Sequence, residues 1–165
     1  IETENKSNKY YNKYYANENG MNSRLDEIQA SILNIKIPRL KNSIKNRQHI
    51  ASIYNKELSG TRLKLPIVNN KCTHVYHLYV VYHSKRNEII KQLMKKKIFT
   101  NIQYPSPIHK MKAYKNLAYF KKNELKNAEK FSKGIFSLPI YPELSNKKLY
   151  KIIKELKYIL NNKNL

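Results

Sequence analysis

One long helical repeat limits what this chain can become more than any other feature. Leu25, Ile28, Ile32, Ile35 and Leu40 recur at the spacing of a helix, and the pattern resumes through Ile44, Ile50, Ile53, Tyr54 and Leu58. Ser23 stands at its start with Asp26 three residues on, as in a capping box, and Gly60 stands where such a helix stops. Pro38 falls inside the pattern. A proline there removes a backbone donor and presses on the preceding turn, so a kink or break is expected near Ile37.

Shorter elements alternate after the helix. Thr61 to Lys71 is a connection containing Pro66, and His74 to His83 reads as a strand. Val75, His77, Tyr79 and Val81 lie on one face of it and Tyr76, Leu78, Val80 and Tyr82 on the other, which suits a strand covered on both sides. Arg86 to Lys97 is an amphipathic helix, and Ile98 to Gln103 is a second strand. Tyr104-Pro105-Ser106-Pro107-Ile108-His109 is a loop stiffened by its prolines. A helix from about Glu124 to Lys133, a strand from Ile135 to Leu138 and the stiff loop Pro139-Ile140-Tyr141-Pro142 follow. Ser145 caps a last helix whose apolar face is Leu149, Ile152, Ile153, Leu156, Ile159 and Leu160. This order predicts an α+β fold: a long kinked helix leading into a small antiparallel sheet with helices on one face.

With 165 residues the chain is one domain's worth. It opens on Ile1 and a polar, tyrosine-rich lead-in that does not resemble a signal peptide, which suggests a fragment whose front is missing. No apolar run approaches the roughly 20 residues of a membrane span. Cys72 is the single cysteine, so an internal disulfide and a cysteine metal site are excluded, and a reducing, cytoplasmic setting fits. Lys and Arg total 33 against 11 Asp and Glu, a formal net charge of +22. Such an excess points either to a polyanion partner or to a low-GC genome that fills surfaces with Lys and Asn. The lysines punctuate almost every segment, which favours compositional drift and no specific nucleic acid. Adhesion to polyanions at low salt is still expected.

Catalytic constellations are scarce. With 3 glycines, glycine-rich nucleotide loops are excluded, and no HExxH or Ser-His-Asp spacing occurs. His74 and His77, three apart on a predicted strand, point to opposite faces and do not share a metal. Three places stand out. At Gly20 to Gln29 a helix start offers N–H groups, the Asn22 amide and the Arg24 fork to an anion. The simpler account makes Asn22 and Ser23 caps and pairs Arg24 with Glu27. Tyr104 to His109 presents Tyr104 and His109 from a rigid loop, or merely turns a corner. Ser137 to Leu144 reads as architecture: a strand end, a stiff turn and a helix lead-in.

Asn22-Ser23-Arg24-Leu25-Asp26-Glu27-Ile28-Gln29-Ala30, Tyr76-His77-Leu78-Tyr79, Tyr104-Pro105-Ser106-Pro107-Ile108-His109 with Tyr114 behind it, and Ser137-Leu138-Pro139-Ile140-Tyr141-Pro142-Glu143-Leu144 occur in that order. The set resembles the DegT/DnrJ/StrS-type sugar aminotransferases over about residues 10 to 160, and Arg47 and Tyr54 match the Arg and Tyr of that family's long helix. The resemblance implies a fold-type I, pyridoxal-phosphate-dependent enzyme that works as a homodimer with active sites at the subunit interface. It moves an amino group from an amino-acid donor to a nucleotide-linked keto sugar, for cell-surface polysaccharide or secondary metabolites. It also implies that residues 1–21 end a large domain, 22–60 form an interdomain helix kinked near Pro38, and 61–165 form the small domain. The Schiff-base lysine is then expected upstream, leaving no catalytic residue here and an isolated chain that does not transaminate. By the same resemblance Asn22 reaches across the dimer to the cofactor phosphate, Arg24 orders that loop or meets substrate, and Tyr104 and His109 approach the nucleotide sugar. Gln103 departs from the family's frequent His before Tyr-Pro, and Pro38 interrupts a helix continuous in the family. Competing readings are a basic nucleic-acid-binding module and a non-catalytic member of the same family.

Overall fold

The computed structural model describes residues 24–114 and 125–162. Helix α1 runs from Glu27 to Leu58. Its N-cap is Asp26, whose side chain accepts from the Gln29 N–H at 2.9 Å, so the cap expected at Ser23 is supplied three residues later. Ser23 lies outside the described residues.

Of the kink or break expected near Ile37, the break does not occur: α1 continues through Pro38 as one element. Proline deletes only the bond that would reach the Asn34 carbonyl. That turn is exposed, so water can take up the carbonyl left over. Ser59 N–H closes the helix on the Asn55 carbonyl at 3.2 Å, and Gly60 then turns at φ +77°, as its position in the sequence suggested.

Strand β1 is Tyr79–Tyr82, shorter than the expected His74–His83. Tyr76 has φ +49°, and its N–H is taken by the His74 Nδ1 at 2.9 Å, so the chain before Tyr79 is turned away from a ladder. Strand β2, Ile135–Leu138, pairs antiparallel with β1 in the register Tyr79↔Leu138 and Val81↔Phe136. Those four side chains share one face and are all buried, and the core lies there. Each edge of the sheet is extended by a single bridge, Lys64 to Tyr82 on one side and Asn101 to Ser137 on the other. The strand expected over Ile98 to Gln103 is reduced to that second bridge.

Helix α2 is Arg86–Lys95, a short α3 is Lys126–Ser132 and α4 is Asn146–Asn161. Ser145 caps α4 by accepting from Lys148 N–H, and the buried residues of α4 are the six expected from periodicity. They join Ile50, Ala51, Tyr54 and Leu58 of α1, Ile89 and Leu93 of α2, and the covered face of the sheet in one core. The fold is the α+β arrangement expected.

Candidate functional site

The second half of α1 holds two of the segments singled out in the sequence. Arg47 Nη1 donates to the carbonyls of Tyr76 at 3.2 Å, His77 at 3.1 Å and Ile140 at 3.0 Å. Gln48 reaches the His74 carbonyl at 3.1 Å, and the Tyr54 hydroxyl donates to the Pro139 carbonyl at 2.8 Å. One helix face therefore fixes both the turn at Tyr76 and the stiff loop Pro139 to Pro142. The Tyr79 hydroxyl donates to Asn55 Oδ1 at 2.6 Å, and the Tyr54 and Tyr79 rings lie 4.8 Å apart. Burial, and then the neighbouring tyrosines, push both phenols well above the ordinary value of 10.0, so they stay protonated as donors. The reading of Ser137 to Leu144 as architecture agrees with these contacts.

The loop carrying Tyr104 and His109 is mounted differently. Tyr104 has φ +64° and is 67 % exposed. A non-glycine residue in the left-handed region is held by its surroundings, here between the bend and Pro105. Behind it Ile108–Lys110 and Lys112–Tyr114 form two turns of 3-10 helix. Glu129 on α3 grips the first of these from both sides: Oε1 meets His109 Nε2 at 3.0 Å and Oε2 accepts from Lys110 Nζ at 2.7 Å. The hydrogen bond from Lys110, and then that from His109, hold the Glu129 carboxyl below its ordinary 4.5. Beside this latch lies a hollow of about 390 Å³ lined by Tyr82, Ser84, Lys126, Lys130, Lys133 and Gly134 with Glu129.

Arg24 is exposed, two residues ahead of the α1 N-cap. Asn22 lies outside the described residues. The structure thus sets Arg24 at the start of α1, and Tyr104 and His109 on the loop latched to α3. Glu129 and Lys110 escaped the sequence reading. A signal for Glu129 existed: in a chain with 11 acids and 33 bases, each carboxylate is a candidate partner for several cations.

Among the described residues no group of three or more His, Cys, Asp or Glu could hold a metal ion. Among them also, no helix is long and apolar enough to cross a membrane. His74 and His77 precede β1 and do not lie in a strand, so the opposite-face argument about them does not apply.

Comparison with known proteins adds a family. Residues 2–157 match the model described as the DegT/DnrJ/EryC1/StrS aminotransferase family. A dTDP-3-amino-3,4,6-trideoxy-alpha-D-glucose transaminase of Micromonospora megalomicea subsp. nigra is 36% identical over 152 residues, 89% of this chain and 40% of that protein. A pleiotropic regulatory protein of Geobacillus stearothermophilus is 35% identical over 87% of this chain and 39% of its own length. The crystal structure of S. venezuelae DesV in complex with a ketimine intermediate superposes with a TM-score of 0.80 at 32% identity, covering 91% of this chain and 40% of that one. The chain therefore spans about 40% of the length of the relatives it matches.

Proposed function

Because this chain belongs to the DegT/DnrJ/EryC1/StrS aminotransferase family, we propose that it is the C-terminal part of a pyridoxal-phosphate-dependent aminotransferase acting on a nucleotide-linked keto sugar. The observation that carries this reading is the match in fold to DesV, a TM-score of 0.80 over 91% of the chain. Relatives named for dTDP-linked amino sugars support the substrate class. A cytoplasmic setting and a role in polysaccharide or secondary-metabolite sugars belong to the same proposal.

Asn22 and Arg24 hold the cofactor phosphate in this reading. The donor set suits the group, since a guanidinium ahead of a helix N-terminus favours an anion. When bound, pyridoxal phosphate supplies the electron sink for passing an amino group from a donor such as glutamate to the keto sugar. Tyr104 and His109 bind the nucleotide sugar, and the Glu129 latch keeps His109 oriented. The covalent cofactor lysine belongs to residues outside this chain, so the 165 residues alone bind but do not turn over.

The working form is a homodimer with its sites between subunits. Leu25, Ile28, Ile32, Ile35 and Leu40 on the first half of α1 are exposed, and a partner or a further part of the protein would cover them. A non-catalytic, regulatory role is the second reading, favoured by the name of the Geobacillus relative.

The test mixes the chain with pyridoxal phosphate, glutamate and a dTDP-linked keto sugar, following cofactor absorbance, product and amide resonances. We expect no turnover, and resonance shifts at Tyr104 and His109 on adding the dTDP-sugar. Turnover by the chain alone would refute the assignment of the lysine. No shift at Tyr104 or His109 would refute their role in binding.

A further inference from the structure

Helix α4 turns its six apolar residues into the core and leaves a ridge outside. Lys147, Lys151, Lys154 and Tyr158 recur at i, i+4, i+7 and i+11, one stripe of the helix, and all four are exposed. Glu155 is the one acid in α4, and it already meets Lys96, just past the end of α2, at 3.6 Å. On the other flank Glu57 of α1 accepts from Lys157 at 2.8 Å. Both of these carboxylates are thus engaged by lysines off the ridge. Lys91 and Lys95 on α2, which packs alongside, and Lys96 at its C-cap are exposed. Lys96, Lys154, Glu155 and Tyr158 line a cleft of about 180 Å³ between the two helices.

We infer that the α4 ridge is a contact site for single-stranded nucleic acid, with phosphates on Lys147, Lys151 and Lys154 and a base on the Tyr158 ring. A membrane surface is the poorer fit, because a helix that lies on lipid needs a free apolar face and that of α4 is spent in the core. A duplex is also poorer, because its bases are stacked inward, whereas an exposed ring accepts unpaired bases of any kind. Recognition is therefore of backbone and base face, without sequence preference. Drift in composition puts lysine everywhere; it does not make one ridge outweigh an equal number of lysines elsewhere. The inference is independent of the aminotransferase reading and stands or falls without it.

The experiment is fluorescence anisotropy of a labelled oligouridine of about 20 nucleotides across about 50 to 200 mM salt. The variant Lys147→Gln/Lys151→Gln/Lys154→Gln should flatten the plot of log affinity against log salt by about 2, three contacts at about 0.7 each. The control Lys36→Gln/Lys41→Gln/Lys45→Gln removes the same charge from exposed positions of α1 and should change it by less than one contact, about 0.7. Tyr158→Ala should weaken oligouridine binding about fivefold or more while leaving heparin, a polyanion without bases, unaffected. Equal losses in the two triple variants would overturn the inference in favour of diffuse charge. So would an unaltered affinity in Tyr158→Ala, or ridge-dependent binding to phosphatidylserine vesicles with none to oligouridine. Every position changed is on the surface, and thermal melts of the variants check that they are folded.

Discussion

Replacing Arg47 by Met isolates the clamp that joins α1 to two loops. The methionine keeps the apolar stem and removes the donors. Three carbonyls, of Tyr76, His77 and Ile140, accept from the single nitrogen Nη1 at 3.0 to 3.2 Å. That nitrogen has two hydrogens, so the three contacts amount to about two full hydrogen bonds. Bonds from a charged donor are worth about 1.5–3 kcal/mol each. The site is half-buried, so water can recover part of that loss. We therefore expect Arg47→Met to cost about 2–3 kcal/mol, a shift in Tm of about 5–10 °C for a domain of this size. Guanidinium unfolding followed by circular dichroism measures it. Arg39→Met is the control, an exposed arginine on the same helix, expected within about 0.5 kcal/mol of the parent. The amides of Tyr76 to Leu78 should shift in Arg47→Met and not in Arg39→Met. If Arg47→Met were as stable as the control, the carbonyl clamp would not be what holds these loops.

His83 is buried, and desolvation first, then Arg62 and Lys85, hold its pKa below the ordinary 6.5. The unfolded chain thus takes up a proton before the folded one does, so stability is full above about pH 7 and falls as pH drops through 6.5 toward the folded value. Urea titrations at a series of pH values should show that loss in the parent and a flatter profile in His83→Asn. Glu129 has the carboxylate sign: its contact with His109 and Lys110 is complete above 4.5 and loosens as pH falls through a lower folded value. The His109 ring resonances should report that loosening at low pH in the parent and show it already present in Glu129→Gln at neutral pH. A Cβ added at Gly134 would collide with the Tyr82 ring and stand 2.9 Å from the His83 carbonyl. Gly134→Ala should therefore cost about 1–3 kcal/mol by overpacking, read by the same unfolding curves, and an unchanged midpoint would refute the contact.

Elements whose fate is decided locally were legible in the sequence. Ser145 and the six-residue apolar face specify α4 outright, because cap and period agree. Strand β2 and the stop at Gly60 are equally plain. Elements decided by distant partners were not. The run from His74 to Leu78 alternates like a strand, yet Arg47, about thirty residues away along the chain, takes the carbonyls of Tyr76 and His77. Ile98 to Gln103 has strand residues but finds a ladder partner only at Asn101. Tyr104 and His109 could be singled out because prolines announce a stiff loop, whereas Glu129 is twenty residues from His109 and nothing local marks it. Pro38 does not end α1, because the rule against proline in helices is a free-energy cost, and an exposed turn inside a 32-residue helix can absorb it.

A chain with three bases for every acid cannot pair all its cations with carboxylates, and it builds with carbonyls as well. Arg47 gathers those of Tyr76, His77 and Ile140. Arg86 joins α3 to β2 through those of Ser132 at 2.7 Å and Ile135 at 3.2 Å. Arg62 donates to the carbonyls of Leu160 and Asn162 where α4 ends, the pole of the helix that favours a cation. A guanidinium suits this work because its fork of N–H groups meets several acceptors at once. A carbonyl contact orders a segment without cancelling the charge, so each clamp fixes a loop and leaves its positive field in place. The same imbalance that sends these arginines to carbonyls thus keeps the surface positive.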